Sequence, residues 1–206
     1  MIKIERVSVM NFENAMRGAR NPMNSWEKSD SFYDGEGNYI LGEADRTFGN
    51  KLCRAGSDER KFIRQIFVSV DITAPLYWWK EFDTYKVGTV ANSTSTMHKI
   101  HAKSFEREDF SHDRLDEGGL EMLDSLIQYL ESERVKFCAD REDRQPWHNM
   151  IQLLPSSYNQ MRTVTLNYEN LVNIYYARRA HKLAEWHTFC DWIKTLPYAE
   201  DFILIK

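Results

Sequence analysis

The chain has 206 residues and a formal net charge of −4, with 42% hydrophobic and 13% aromatic residues. That length suits one substantial domain able to bury a real core. The acidic balance excludes a general nucleic-acid binder, which carries a basic excess, and no apolar run approaches the roughly 20 residues that cross a bilayer.

The N-terminal "MIKIERVSVMNFENAM" alternates briefly and lacks the long apolar segment of a secretory signal. "KIERVSVM" predicts an edge strand, and "NFENAMRGAR" a short helix with Asn11 as its N-cap. "NPMNSWEKSDSFYDGEGNY" is crowded with turn formers and predicts a loop. Residues 40–55 predict a helix that stops at Gly56. "KFIRQIFVSVDI" is rich in β-branched and aromatic residues and predicts a strand. Pro75 suits the first turn of a helix, so "APLYWWKEFDTY" opens one. Leu120, Leu123, Leu126, Ile127 and Leu130 recur at helical spacing and predict a helix over 115–138. "WHNMIQLL" ends at Pro155, "RTVTLNY" is a short strand, and residues 171–195 form a long helix or a broken pair. This order predicts an α+β fold, a small antiparallel sheet with long helices, in a single domain over residues 1–206.

Few residues announce chemistry by spacing. Cys53, Cys138 and Cys190 lack CxxC spacing and read as reduced thiols, which predicts a cytoplasmic protein. His98 and His101 stand three apart, but no acid or thiol follows at ligand spacing, so they predict a solvated helical face and no metal. His181 and His187 do not share a face. Cys190, within "WHTFCDWIK", reads as a buried structural thiol. "GEG" at 35–37 lacks the third glycine and the strand–helix context of a dinucleotide fingerprint.

Two stretches remain. In "APLYWWKEFDTYKVGTVANSTSTMHK" (74–99), two tryptophans lead into a run of small polar residues. The hydroxyls and amides of Thr89, Asn92, Ser93, Thr94, Ser95 and Thr96 suit either a turn segment or a ligand-binding lip. In "YYARRAHKLAEWHTF" (175–189), Arg178 and Arg179 adjoin. Helical neighbours point about 100° apart, so one arginine is solvated while the other turns inward and needs a carboxylate, carbonyl or ligand partner.

Together these stretches resemble the flavin-dependent thymidylate synthases, the ThyX family. The family has an Ala-Pro lead-in, an Arg-His-Arg turn, seven residues and a serine. Here Ala74-Pro75 is followed by Thr84-Tyr85-Lys86, seven residues and Thr94. Further on, Asn167 precedes Arg179, five residues and Glu185-Trp186, where the family has Asn, Arg, five residues and Gln-Trp, with one extra residue between Asn167 and Arg179 here. "LLP" at 153–155 matches the family's Leu-Pro, and "MNFENAMRGAR" its opening helix.

The resemblance implies a homotetramer with active sites where subunits meet. It also implies methylation of a pyrimidine deoxynucleotide, dUMP or a related nucleotide, with FAD, NADPH and methylenetetrahydrofolate. It places Thr84, Tyr85, Lys86 and Asn167 on the flavin, and Glu81, Asn92, Thr94, Ser95 and Thr96 on the nucleotide. Arg179 holds the pyrimidine carbonyl as the catalytic residue. The family's arginines are replaced by Thr84, Lys86, Thr96 and Ile151, with Lys80, Arg60, Lys61 and Arg64 as substitute cations. Those losses support a second expectation, a non-catalytic nucleotide-binding or structural homologue without flavin. Of Trp78 and Trp79, at most one faces a ligand.

Overall fold

Burial alternates along strand β4 (Phe67–Pro75): Val68, Val70, Ile72 and Ala74 are buried and the residues between them are not, the period-two pattern of a strand with one packed face. A computed structural model of the chain describes residues 2–205. In it β4 joins β1 (Lys3–Met10), β5 (Val90–Ser93) and β6 (Asn159–Asn167) in a four-stranded sheet of order β1-β4-β6-β5. β1 takes the edge, as its sequence predicts. β4 and β6 run antiparallel: Leu76 N–H donates to the Tyr158 carbonyl and Tyr168 N–H to the Ile66 carbonyl (3.0 Å each). The hydroxyls of Ser69 and Thr165 meet between them at 2.7 Å.

Helices α1 (Phe12–Arg20), α2 (Glu43–Ala55) and α3 (Leu76–Phe82) precede the longest, α4 (Glu117–Ala139). They are followed by α5 (Gln145–Leu153), α6 (Tyr168–Arg178), α7 (Ala184–Lys194) and the single turn α8 (Ala199–Phe202). The fold is α+β, with a small antiparallel sheet and long helices. Asn11 stands at the N-cap of α1, but its amide donates to the Gln65 carbonyl instead of capping (2.9 Å). Asp116 caps α4 by accepting from Gly119 N–H. The 171–195 region is a broken pair, interrupted at His181. Its Nδ1 accepts from Leu183 N–H (3.2 Å), and its carbonyl bonds His187 Nε2 (2.7 Å).

Three expectations shift. The helix expected from residue 40 starts at Glu43, because Tyr39–Ile40 form strand β3 and pair antiparallel with Phe32–Tyr33, strand β2, inside the expected loop. "KFIRQ" is not strand. Glu59–Gln65 form a 3-10 turn in which the consecutive residues Phe62 and Ile63 are both buried, which strand alternation forbids. Residues 96–102 form turns instead of a helix; His98 is exposed there, and the His101 ring meets Phe137 edge to face at 5.1 Å. Burial and the cations Arg141, Lys99 and Arg134 hold the pKa of His101 below its ordinary value.

The chain divides into two compact units, one of residues 2–3, 72–84 and 92–163, the other of residues 4–71, 85–91 and 164–205. The first has an apolar cluster of Ile100, Phe105, Phe110, Leu123, Leu130, Phe137 and Met150. In the second, Ile63, Leu171, Ile174, Trp186, Phe189 and Phe202 are buried. Cys53 and Cys190 are buried there as free thiols, with pKa values pushed up by burial to about 12 and about 11, whereas Cys138 is exposed. Among the described residues no helix is long and apolar enough to cross a membrane.

Candidate functional site

The residues expected from the resemblance fall into two groups, one in each unit. In the first unit, Trp78 and Trp79 are fully buried, so α3 carries both as core rather than as a ligand-facing surface. Trp79 Nε1 donates to the Gln160 carbonyl (2.8 Å), which pins α3 to β6. At the end of α3, Thr84 is exposed and its hydroxyl donates to the Glu81 carbonyl (2.8 Å). Glu81 is partly buried.

Asn92 is exposed on β5. Thr94 follows it, its backbone N–H and its hydroxyl both donating to the Met161 carbonyl (2.9 and 3.2 Å). The Ser95 hydroxyl accepts from the N–H groups of Met97 and His98 (3.2 and 2.9 Å), closing the turn that composition suggested. Thr96 is partly buried beside it. Ile151 packs against the apolar cluster, so no cation stands at that position.

Two residues that were not anticipated complete this group. Gln160, Arg162, Val164 and Leu166 alternate onto one face of β6. Gln160 Nε2 donates to the Thr94 carbonyl (2.7 Å). The Arg162 guanidinium lies 4.3 Å above the Trp79 ring and donates from Nη1 to Asp83 Oδ1 (2.8 Å) and from Nε to Gln160 Oε1 (3.1 Å). The expected strand began at Arg162, so Gln160 lay outside it and nothing in the sequence paired the two.

In the second unit, Arg178 is the inward member of the arginine pair. Its Nε donates to the Tyr85 hydroxyl (2.8 Å), and the guanidinium carbon lies 4.8 Å from the Trp186 ring centre and 5.5 Å from that of Tyr85. Tyr85 and Trp186 meet edge to face at 6.1 Å. Arg179, the C-cap residue that follows α6, is exposed and places its guanidinium 4.9 Å from the Tyr176 ring. It makes no side-chain hydrogen bond among the described residues. Lys86 is exposed.

Asn167 and Asn170 cap α6 reciprocally, each side chain accepting from the other's backbone N–H (3.0 and 3.1 Å). Asn170 Nδ2 also donates to the Val87 carbonyl (2.6 Å), which ties the 85–91 segment to the helix. Gly88 turns that segment with φ +74°, where a Cβ would stand 2.9 Å from Asn167 Nδ2. Arg60, a suggested substitute cation, is held by both carboxylate oxygens of Glu169 (2.8 and 3.0 Å). Lys61 lines a 390 Å³ cleft with Gly18, Phe48, Leu52, Phe62 and Gln65.

No protein-family model matches the sequence, and no curated protein matches it. Solved structures do. The chain is similar to thymidylate synthase X (ThyX) from Helicobacter pylori with FAD and dUMP, at TM-score 0.70 and 15% identity over 98% of this chain and 97% of that one. A second structure of the Helicobacter pylori flavin-dependent enzyme with FAD and dUMP aligns at TM-score 0.67 and 16% identity, over 97% of each chain. The UMP/dUMP methylase PolB from Streptomyces cacaoi bound with 5-Br dUMP aligns at 0.63 and 14%, over 99% and 95%. The fold is therefore that of the flavin-dependent thymidylate synthases and a related dUMP methylase.

Proposed function

We propose that the protein is a divergent flavin-dependent methylase of a pyrimidine nucleotide, dUMP or a relative of it, acting as a homotetramer in the cytoplasm. The observation that carries this reading is the Arg178–Tyr85–Trp186 cluster on this fold. It joins the two stretches of the sequence resemblance through a 2.8 Å hydrogen bond.

The second unit offers groups that fit a flat anionic cofactor. Tyr85 supplies aromatic surface and Lys86 an exposed cation. Asn167 Nδ2 makes no hydrogen bond among the described residues, and neither does the buried hydroxyl of Thr89 beside the Gly88 turn. FAD, when bound, would supply the transfer of hydride from NADPH, with methylenetetrahydrofolate as the one-carbon donor.

The chain's own part is binding and orientation. Tyr85, Lys86 and Asn167, with Thr84, hold the flavin. Glu81, Asn92, Thr94, Ser95 and Thr96 face the nucleotide. Arg178 fixes Tyr85 through hydrogen bond and ring face. Arg179 donates to the pyrimidine carbonyl and stabilises negative charge there as the ring becomes nucleophilic. No protein nucleophile is required.

The test is the visible spectrum of the purified protein with and without added FAD, followed by NADPH oxidation with dUMP and methylenetetrahydrofolate. A co-eluting flavin band and dUMP-dependent oxidation are expected, and Arg179→Ala is expected to abolish the dUMP dependence. If Arg179→Ala leaves it intact and Arg178→Ala removes it, the two roles are exchanged. A colourless protein that still binds dUMP is the non-catalytic reading, which Thr84, Lys86, Thr96 and Ile151 favour by standing where the family keeps arginine.

A further inference from the structure

Arg162 is an anomaly of placement. It shares a face of β6 with Val164 and Leu166, both fully buried, and its side chain is only 16% exposed. A guanidinium on a packed face costs desolvation that an apolar residue avoids. Its surroundings do not use the whole group. Trp79 covers one face of the plane, Gln160 takes Nε and Asp83 takes Nη1. Nη2 makes no hydrogen bond among the described residues, and it is not among the fully buried atoms. The result is a guanidinium locked in plane and direction, with one edge presented to solvent.

The lock also sets where that edge lies. Gln160, which holds Nε, donates to the Thr94 carbonyl, so Arg162 is tied to the start of the Thr94–Thr96 hydroxyl run. Asp83, which holds Nη1, immediately precedes Thr84. A guanidinium N–H held in one direction matches an oxygen of a phosphate.

We propose that Arg162 is the phosphate-binding arginine of this protein, presenting Nη2 to the phosphate of a nucleoside monophosphate, with Asp83 as the counter-ion that balances it before the phosphate arrives. The identity of the nucleotide rests on the function proposed above; the anion site rests on the geometry of Arg162 alone. Asp83 opposes the phosphate through its own charge while holding the arginine in place. Its side chain is 47% exposed, so water screens that opposition.

The experiment is calorimetric titration of dUMP, deoxyuridine and inorganic phosphate into the intact protein and into the Arg162→Gln and Asp83→Asn variants, with thermal melts to confirm folding. The expected result is dUMP affinity reduced about tenfold or more in Arg162→Gln with deoxyuridine affinity unchanged, the scale of one lost charge-assisted hydrogen bond. Asp83→Asn is expected to tighten dUMP a few-fold without affecting deoxyuridine. The proposal is overturned if Arg162→Gln weakens both ligands alike or neither. Should Arg162→Gln not fold, a ratio of dUMP to deoxyuridine affinity that Asp83→Asn leaves unchanged or lowers overturns it as well. Failure of the pyrimidine reading is separable. Inorganic phosphate binding that requires Arg162, with neither pyrimidine bound, upholds the anion site and removes the nucleotide; no binding of any of the three removes both.

Discussion

Asp45 shows what a single buried charge does in this fold. It is fully buried in α2, with Arg20 Nε on Oδ1 (2.7 Å) and the hydroxyls of Ser29 and Ser31 on Oδ2 (2.5 Å each). Arg20 also donates to the Ser25 and Lys28 carbonyls (3.4 and 3.2 Å). One carboxylate thereby fixes the whole 25–31 segment. Asp45→Ala would leave a buried guanidinium uncompensated, at a cost of about 3–5 kcal/mol. Urea unfolding is expected to show that loss as a lowered midpoint with the slope unchanged. Nothing in the sequence marks this pair, since its members lie 25 residues apart and each reads as a surface charge of an amphipathic helix. Arg162 was hidden for a similar reason: on a short strand, one arginine reads as outward-facing until the neighbouring helix is known to cover it with Trp79.

At the scale of elements, periodicity was a good guide where one face is buried and a poor one where it is not. α4 was legible from its leucines, and β4 from Val68 to Ile72, although the strand continues to Pro75. The β2–β3 hairpin was not, because its two-residue strands are too short to show alternation. The 3-10 turn at Glu59–Gln65 misled because Phe62 and Ile63 have strand-forming side chains while both point inward. The 85–91 segment depends on a local device instead of on periodicity. Gly88→Ala would have to hold φ +74° with its methyl 2.9 Å from Asn167 Nδ2. A destabilisation of about 1–2 kcal/mol is expected. Hydrogen exchange would show it as faster exchange across 85–91 and the first turn of α6, where Asn167 and Asn170 act as caps.

For the molecule as a whole, the fold class and the family likeness were legible, because the Ala-Pro lead-in and the order Asn, Arg, five residues and Glu-Trp survive, one residue longer before the arginine, although identity to the solved structures is only 14–16%. The chemistry was less so. Spacing locates a position but not the direction of its side chain, which is why the arginine pair could be found while its inward member, Arg178, had to be read from Tyr85 and Trp186. Cysteine accessibility is a further property that only the assembled chain defines. The thiolate is the reactive form, and burial suppresses it at Cys53 and Cys190, whose pKa values rise to about 12 and about 11. Cys138, at the last turn of α4, is exposed. A maleimide at mildly alkaline pH is expected to modify the folded protein at Cys138 alone, read as a single mass increment, and all three cysteines once the chain is unfolded. The unaltered protein thus carries one chemical handle, where a dye or spin label attaches without mutagenesis and reports on the end of α4.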